Sequence, residues 1–205
     1  MSSTLHKLGL VLCLGAALAA GPAGAAGVAQ GKTDMDAGDY ALARHVLQPL
    51  ATHGDERAQY LLGRMFERGL GLPMPDGRKA VRWYTRAAQR AYGPAERALG
   101  LLYLNGKTVP QDYALARKWL ERGAHDGSGR AQLALGRMLE KGFGGAPDPI
   151  MAYVWYDFAA ARGNTVARKH RSRLDHTLSR AQLAEAQRLV RKLGPTVIGA
   201  DLAGA

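Results

Sequence analysis

Apolar and small residues recur along the middle of the chain at intervals of 36 or 37 residues. The extra residue of the longer interval falls between Gly69 and Asp76, in the Gly- and Pro-rich stretch Leu70–Pro75. Such a stretch indicates a loop whose flanks are helices. The intervals therefore predict stacked helical units. The matched positions are Ala58, Leu62, Gly63, Gly69, Asp76, Ala80, Trp83 and Ala88; Ala95, Leu99, Gly100, Gly106, Asp112, Ala116, Trp119 and Ala124; and Ala131, Leu135, Gly136, Gly142, Asp148, Ala152, Trp155 and Ala160.

Each unit is predicted to contain two helices. The first helices are expected over Glu56–Arg68, Ala95–Asn105 and Ala131–Lys141. A glycine follows each of them, where a left-handed residue closes a helix at least cost: Gly69, Gly106 and Gly142. The second helices are expected over Gly77–Arg90, Tyr113–His125 and Pro149–Arg162, because apolar residues there recur with the spacing of one buried helix face.

An aspartate precedes each second helix, where its side chain can accept hydrogen bonds from the first free amides. We interpret these aspartates as helix caps rather than as metal ligands or catalytic acids, because one occurs in every repeat. The hexapeptide Asp39–Arg44 recurs unchanged as Asp112–Arg117, in the same register. The four predicted caps are Asp39, Asp76, Asp112 and Asp148.

The repeated tryptophans and mid-helix glycines are assigned structural roles. Trp83, Trp119 and Trp155 keep a fixed register, which predicts core residues between adjacent helices rather than ligand-stacking aromatics. Glycine inside a helix costs up to about 1 kcal/mol relative to alanine. Because this cost recurs in every first helix, it predicts close helix contacts, at Gly63, Gly100 and Gly136.

The two ends of the repeat array depart from the pattern. Residues 26–38 form a lead-in, for which a helix over Val28–Ala37 is one interpretation. Residues 167–193 form a divergent terminal cap, in which Ser179–Gln182 is a capping box before the last helix. Gly194 and Pro195 are expected to stop that helix, leaving a flexible tail over residues 194–205.

The N-terminus has the features of a secretory signal peptide over residues 1–25. Lys7 precedes the apolar run Leu8–Ala20, and Ala23–Ala25 offers small residues for cleavage. A permanent membrane span needs about 20 apolar residues, so a stable anchor is the weaker interpretation. Cleavage would remove Lys7 and Cys13, the single cysteine, and we expect export to a bacterial periplasm.

The repeated motifs resemble the Sel1-like repeat, a relative of the tetratricopeptide repeat. The resemblance rests on Ala58–Gly63, Gly69–Gly71, Asp76 and Ala80–Ala88, and on their counterparts in the next units. It covers about residues 39–193, with units at about 39–57 (partial), 58–94, 95–130 and 131–166, then the cap at 167–193. The implied fold is an all-α, right-handed α-solenoid of about four to five antiparallel helix pairs.

The resemblance implies an adaptor or regulator rather than an enzyme. Some exported members of the family carry a disulfide in each repeat and have been linked to β-lactam binding. These repeats contain no cysteine, which separates them from that branch. The sequence also lacks His-Glu-x-x-His, Gly-x-Ser-x-Gly, Ser-x-x-Lys and phosphate-loop motifs. We therefore expect no catalytic residue, metal or cofactor.

Basic residues mark the face of the first helices that would line a concave groove, as in the tetratricopeptide fold. With the mid-helix glycines as phase markers, Arg and Lys outnumber Asp and Glu there seven to two. The acidic residues are Glu67 and Glu140. The predicted partner-binding residues are Arg57, Tyr60, Arg64, Arg68, Arg97, Leu101, Arg130, Arg137 and Lys141.

Three functions fit this surface. The first is an envelope adaptor that binds an acidic, partly apolar protein or peptide, since arginine pairs bidentately with carboxylates. The second is a binder of anionic envelope polymer, and the third is a β-lactam-interacting enzyme. The formal net charge of +11 would also suit nucleic acid, but export makes that an unexpected partner. The alternative for the arginines themselves is a generally basic surface without a specific partner.

Overall fold

The computed structural model describes the backbone of residues 22–198 and the side chains of residues 24–194. Within these residues the chain forms ten α-helices and no β-strand. Most of the predicted signal peptide, including Cys13, and the last residues of the predicted tail lie outside this range.

The helices belong to two compact units, residues 1–90 and 91–205. In unit 1, helices α1 and α2 pack together, as do α3 and α4. In unit 2, α5 packs on α6 and α7 on α8. Unit 1 contains α1 (Pro22–Ala37), α2 (Tyr40–Thr52), α3 (Glu56–Arg68) and α4 (Gly77–Ala88). Unit 2 contains α5 (Gly93–Asn105), α6 (Tyr113–His125), α7 (Gly129–Lys141), α8 (Pro149–Ala161), α9 (Thr165–Thr177) and α10 (Arg180–Ile198).

A helix was predicted over Val28–Ala37, but α1 begins earlier, at Pro22, and ends at Ala37. It forms a hairpin with α2. Its Val28 and Met35 are buried in the core of unit 1. A Cβ placed on Gly31 would lie 2.5 Å from Leu47 Cγ, which is closer than real Cβ contacts. Helix α1 is therefore the first helix of the unit for which the sequence pattern predicted only the second half, at residues 39–57.

The mid-helix glycines lie where two helices of one hairpin approach most closely. A Cβ on Gly63 would lie 2.5 Å from Tyr84 Cδ1, and a Cβ on Gly136 would lie 2.7 Å from Tyr156 Cε1. A Cβ on Gly100 would lie 2.5 Å from Leu120 Cγ. The close contacts that the sequence predicted are present in all three hairpins.

The core residues opposite these glycines are Tyr84, Leu120 and Tyr156, each one position after the repeated tryptophan. The prediction of core tryptophans is wrong for Trp83 and Trp119, which are half-buried. One residue along a helix is a rotation of about 100°, so these indoles lie at the edge of the contact. Trp155 is buried, with only 4% of its surface exposed.

Arginine side chains cover the two half-buried indoles. The guanidinium carbon of Arg86 lies 4.7 Å from the Trp83 ring centroid, and that of Arg122 lies 5.2 Å from the Trp119 ring centroid. A cation over an indole face is attracted by the quadrupole of the ring. These tryptophans therefore pack against charged side chains at the protein surface.

Aspartates cap three of the four predicted helices. Asp76, Asp112 and Asp148 accept hydrogen bonds from backbone amides three residues later, at 2.8–2.9 Å. Asp39 is different, because its carboxylate makes no capping bond to α2. Only Gly38 and Asp39 join α1 to α2, and the Asp39 amide donates to the Asp34 carbonyl oxygen. In this tight connection the backbone of Asp39 has φ −80° and ψ 61°, which is not the extended conformation typical of a capping residue.

Helices α9 and α10 do not form a hairpin like the earlier ones. The capping box at Ser179 and Gln182 is present, but α10 packs mainly against α8. The buried residues of α9 are Ala167 and Leu174, so it offers little apolar surface. Helix α8 instead buries residues around its whole circumference, from Ala152 to Ala160.

The predicted stop at Gly194 and Pro195 is wrong, because α10 continues to Ile198. A proline removes its own amide donor, but it does not end a helix when the neighbouring residues keep helical geometry. Pro49 is likewise located inside α2.

Candidate protein-interaction surface

In unit 1, the outward face of α3 presents four of the predicted partner-binding residues. Arg57 and Arg68 are exposed, while Tyr60 and Arg64 are half-buried. The Arg64 guanidinium carbon lies 6.0 Å from the Tyr60 ring centroid, and Tyr60 in turn contacts the ring of Tyr84 at 5.7 Å. Arg64 therefore lies over Tyr60, which is itself packed against Tyr84.

The acidic residue on this face of α3 is already engaged. The Tyr84 hydroxyl donates to Glu67 Oε2 at 2.6 Å. Burial, followed by the charge of Glu67, raises the pKa of Tyr84 far above its ordinary value. Tyr84 therefore stays protonated and serves as a permanent hydrogen-bond donor to Glu67.

In unit 2, α5 and α7 carry the other predicted residues. Arg97 and Leu101 of α5 are half-buried, and Leu101 packs on the core together with Leu133 of α7. Arg130 and Arg137 of α7 are exposed. We call the outward residues of α5, α7 and α9 the first-helix face of unit 2.

Lys141 lies at the end of α7 beside an aromatic pair. Its Nζ is 5.7 Å from the Phe143 ring centroid, and Phe143 stacks on Tyr113 with centroids 5.0 Å apart. A Cβ on Gly144 would lie 3.1 Å from the Tyr113 carbonyl oxygen. The tyrosine of the repeated hexapeptide is therefore a platform for the loop that follows α7.

Helix α9 adds a cluster that the sequence reasoning missed. Glu140 of α7 accepts a hydrogen bond from the Tyr156 hydroxyl at 2.8 Å and forms an ion pair with Arg173 of α9. His170 Nδ1 lies 3.5 Å from Glu140 Oε2, and the His170 ring stacks on Tyr156 with centroids 4.8 Å apart. These contacts join α7, α8 and α9.

A signal for this cluster was present in the sequence. Ser172 has the register of Gly136, so Arg173 occupies the position after the phase marker that Arg137 occupies in α7. The predicted binding surface did not include α9, because no Trp, Gly or Asp occurs at the repeated positions after α8. The spacing of the surface arginines therefore continues into α9, although the repeated Trp, Gly and Asp residues do not.

The electrostatics of the cluster keep His170 neutral near pH 7. Burial lowers the pKa of His170 below its ordinary value, and the positive charges of Arg137 and Arg173 lower it further against the opposing effect of Glu140. Burial and the hydrogen bond to Glu140 raise the pKa of Tyr156. Among these five side chains, the formal charges at neutral pH are those of two arginines and one glutamate.

The Sel1 repeat family model matches residues 56–92, 93–128 and 129–164, which together are more than half of the chain. The chain belongs to the Sel1 repeat family. Each match begins two residues before the unit boundary that the sequence pattern suggested. The Sel1 matches do not include the α1–α2 hairpin or helices α9 and α10.

Similar proteins support the Sel1 fold. A Sel1 repeat protein from Oxalobacter formigenes is 27% identical, with a TM-score of 0.63, and the match covers 68% of this chain and 57% of that one. A second structure is c5321, described as a protective antigen present in uropathogenic Escherichia coli strains and displaying an SLR fold. It is 22% identical, with a TM-score of 0.59, and the match covers 86% of this chain and 46% of c5321.

A curated relative shares a shorter segment with the chain. Chitin synthase regulatory factor 3 of Schizosaccharomyces pombe is 43% identical over 56 residues, which is 27% of this chain and 6% of the yeast protein. The chain thus spans less than two thirds of the length of each of these three relatives. Sel1 repeat proteins generally mediate protein–protein interactions and are generally non-catalytic scaffolds.

A cleft of about 170 Å³ in unit 2 of this Sel1 chain lies between α6, α8 and α10. Polar side chains at its rim already have protein partners. Arg117 Nε donates to Glu121 at 2.8 Å, and Asp148 caps α8. Trp155 and Leu193 are among the residues that line the cleft.

Among residues whose side chains are described, no group of three or more His, Cys, Asp or Glu residues could hold a metal ion. Likewise, none of the helices in the described part of the chain is long and apolar enough to cross a membrane.

Proposed function

We propose that this Sel1 repeat chain is a non-enzymatic adaptor or regulator of the bacterial cell envelope. It binds an acidic, partly apolar protein segment on the outward faces of its first helices. The family supports a protein partner, and the arginines of α3 and α7 support an acidic one. Half-buried Leu101 and Leu133 provide apolar contact area beside the arginines.

The observation that carries the proposal is the charge balance of the first-helix face of unit 2. The acidic residue of this face, Glu140, is engaged by Tyr156 and Arg173. Among the residues described, Arg130 and Arg137 are exposed and form no ion pair. A carboxylate of a partner would supply the missing counter-charge, and arginine can bind it through two parallel hydrogen bonds.

A crosslinking pull-down from the envelope fraction tests this function. Arg64→Glu combined with Arg137→Glu is expected to abolish capture of the partner, because like charges would face its carboxylates. The helical melt is expected to remain close to that of the wild type, since Arg137 is exposed and half-buried Arg64 forms no ion pair among the described residues. The partner would then be identified and its acidic segment neutralised, which is expected to abolish capture by the wild-type protein.

The matched control is Arg180→Glu combined with Arg191→Glu on α10, which changes the net charge equally. Both α10 arginines are exposed and form no ion pair within the described part of the chain. This control is expected to retain the partner. Equal capture by the two double variants would show that the first helices are not the binding surface.

A binder of anionic envelope polymer is the second candidate function, because exposed basic residues also cover α9 and α10. Arg168, Lys169, Arg191 and Lys192 are exposed there. Neutralising several phosphates makes affinity fall steeply with salt and weakly dependent on sequence, a behaviour known for nucleic acids. A steep salt dependence together with equal loss in both double variants would favour this second function.

A further inference from the structure

Two arginines from different helices lie on the same small cluster of unit 2. Arg137 of α7 lies three residues before Glu140, so these two side chains are neighbours on the helix surface, and Arg173 comes from α9. The charges of both arginines act on the His170 ring and the Tyr156 hydroxyl. Arg173 is held by its ion pair with Glu140, which itself accepts from Tyr156. The position of one guanidinium is therefore fixed by neighbours, while Arg137 is exposed beside them.

The cluster has a net charge of one positive unit, from two arginines and one glutamate. Glu140 balances Arg173, and His170 is neutral at pH 7 because its pKa is lowered. Among the described residues, exposed Arg137 forms no ion pair. An anion placed beside Arg137 would restore balance without displacing an existing contact.

We infer that Arg137 and Arg173 form a clamp for one carboxylate of the bound partner, beside the Tyr156–His170 stack. This inference rests on the proposed function and specifies where its partner's acidic residue lies. Leu133 lies one turn before Arg137 on the same helix face and is half-buried. The preferred partner segment therefore places an apolar side chain next to an acidic one.

The charge of the site favours a carboxylate over a phosphate group. The clamp offers one uncompensated positive charge, which matches a singly charged carboxylate. A phosphomonoester carries about two negative charges at neutral pH, and the second would be repelled by the nearby Glu140. The forked guanidinium also fits the two oxygens of a carboxylate.

The decisive measurement is fluorescence polarisation with a labelled eight-residue peptide of alternating Leu and Glu. Arg137→Gln is expected to weaken binding by about tenfold, because a charge-assisted hydrogen bond contributes roughly 1.4 kcal/mol or more. Arg180→Gln on α10 removes the same charge elsewhere and is expected to leave affinity within about twofold of wild type. Equal weakening in both variants, or no binding of the peptide to the wild type, would overturn the clamp.

The imidazole of His170 provides a second readout by NMR titration. A carboxylate bound at the clamp adds negative charge, so the peptide is expected to raise the pKa of His170. Arg137→Gln is expected to raise it in the free protein, because a positive neighbour is removed. Peptide binding that leaves His170 unperturbed would place the carboxylate elsewhere and reject the clamp.

The two proposals can fail separately. If the envelope partner requires Arg64 and Arg137 in the pull-down but the peptide does not shift His170, the clamp is wrong and the interaction function stands. If the peptide shifts His170 but the pull-down partner binds both double variants equally, the clamp exists as a carboxylate site and the proposed function is wrong.

Discussion

At the scale of single residues, one buried position shows how the middle repeat differs from its neighbours. Gln59 and Gln132 are buried, and their side-chain amides donate to the Ala51 and Ala124 carbonyl oxygens, each at 3.0 Å. These bonds tie a first helix to the preceding second helix. The same register in α5 contains Glu96, which is fully buried.

The carboxyl group of Glu96 is incompletely satisfied. Its Oε1 accepts from Arg122 Nε at 2.9 Å, while Oε2 is buried without a hydrogen-bond partner among the described residues. Burial and the nearby Asp126 carboxyl raise the pKa of Glu96 to about 7, against the opposing effect of Arg122. Glu96 is therefore protonated below about pH 7, and it occupies the position where the other repeats have an amide side chain.

Glu96→Gln is expected to remove a pH dependence of stability. The folded protein holds this proton up to about pH 7, whereas the unfolded chain releases it near 4.5. The free energy of unfolding of the wild type should therefore fall as the pH rises from about 4.5 to about 7. At pH 8 the variant should be more stable than the wild type by up to about 3 kcal/mol, since each unit of pKa shift corresponds to about 1.36 kcal/mol.

Urea unfolding at several pH values measures the free energy of unfolding of both proteins. Subtracting the value of the variant from that of the wild type removes the contribution of the other titrating groups. At pH 4 the two proteins should differ little, because Glu96 is protonated in both states. A variant that is less stable than the wild type at pH 8 would mean that the pKa of Glu96 is not raised and that the ion pair with Arg122 stabilises the folded protein.

At the scale of helices, identical sequences have different capping roles in the two units. The hexapeptides Asp39–Arg44 and Asp112–Arg117 are the same, yet only Asp112 caps its helix. Asp112 follows a long loop and has an extended backbone, while Asp39 follows a tight connection. The neighbouring chain, rather than the local sequence, determines whether the cap forms.

Asp112→Ala is expected to destabilise the protein by about 1 kcal/mol, because it removes an N-cap hydrogen bond of 2.8 Å. Asp39→Ala is the matched control, with the same chemistry in the same hexapeptide, and is expected to cost less than half as much. Urea unfolding of both variants tests the difference. Equal losses would indicate that Asp39 also stabilises its helix.

The helices themselves could be predicted from the sequence because local signals and tertiary packing agree. Helices α3 and α6 have the predicted bounds, and Gly69, Gly106 and Gly142 close their helices in the left-handed conformation. The burial of the tryptophans could not be predicted in the same way. Repeat register alone does not distinguish a core position from one rotated by about 100°.

The surface cluster was only half predictable. Arg137 follows from the phase of the mid-helix glycine, and Glu140 lies on the same face. Arg173 and His170 contact Glu140 because α9 packs on α8. None of the repeated Trp, Gly or Asp residues predicts this packing. Contacts between residues 30 or more positions apart depend on how successive helices stack.

At the scale of the whole molecule, stability in a repeat protein is roughly a sum of units and their nearest-neighbour contacts. In unit 1, Val28 and Met35 of α1 are buried in the core, and α1 packs closely on Leu47 of α2 at Gly31. A terminal hairpin without its first helix would expose the buried face of α2. Helix α1 therefore has a structural role, although the Sel1 repeat matches begin only at residue 56.

Two truncations separate the proposed signal peptide from this structural role. Removal of residues 1–25 keeps Val28, Gly31 and Met35, so unit 1 is expected to retain its stability. Removal of residues 1–38 deletes α1 and should cost more than the loss of one large core side chain, which is roughly 2–5 kcal/mol. Hydrogen exchange resolves the effect by helix: α2 and α3 should lose protection in the shorter protein, while α7 and α8 should keep theirs. Unchanged protection of α2 would mean that α1 does not stabilise unit 1, and strong deprotection after removal of residues 1–25 would mean that α1 requires residues before Ala26.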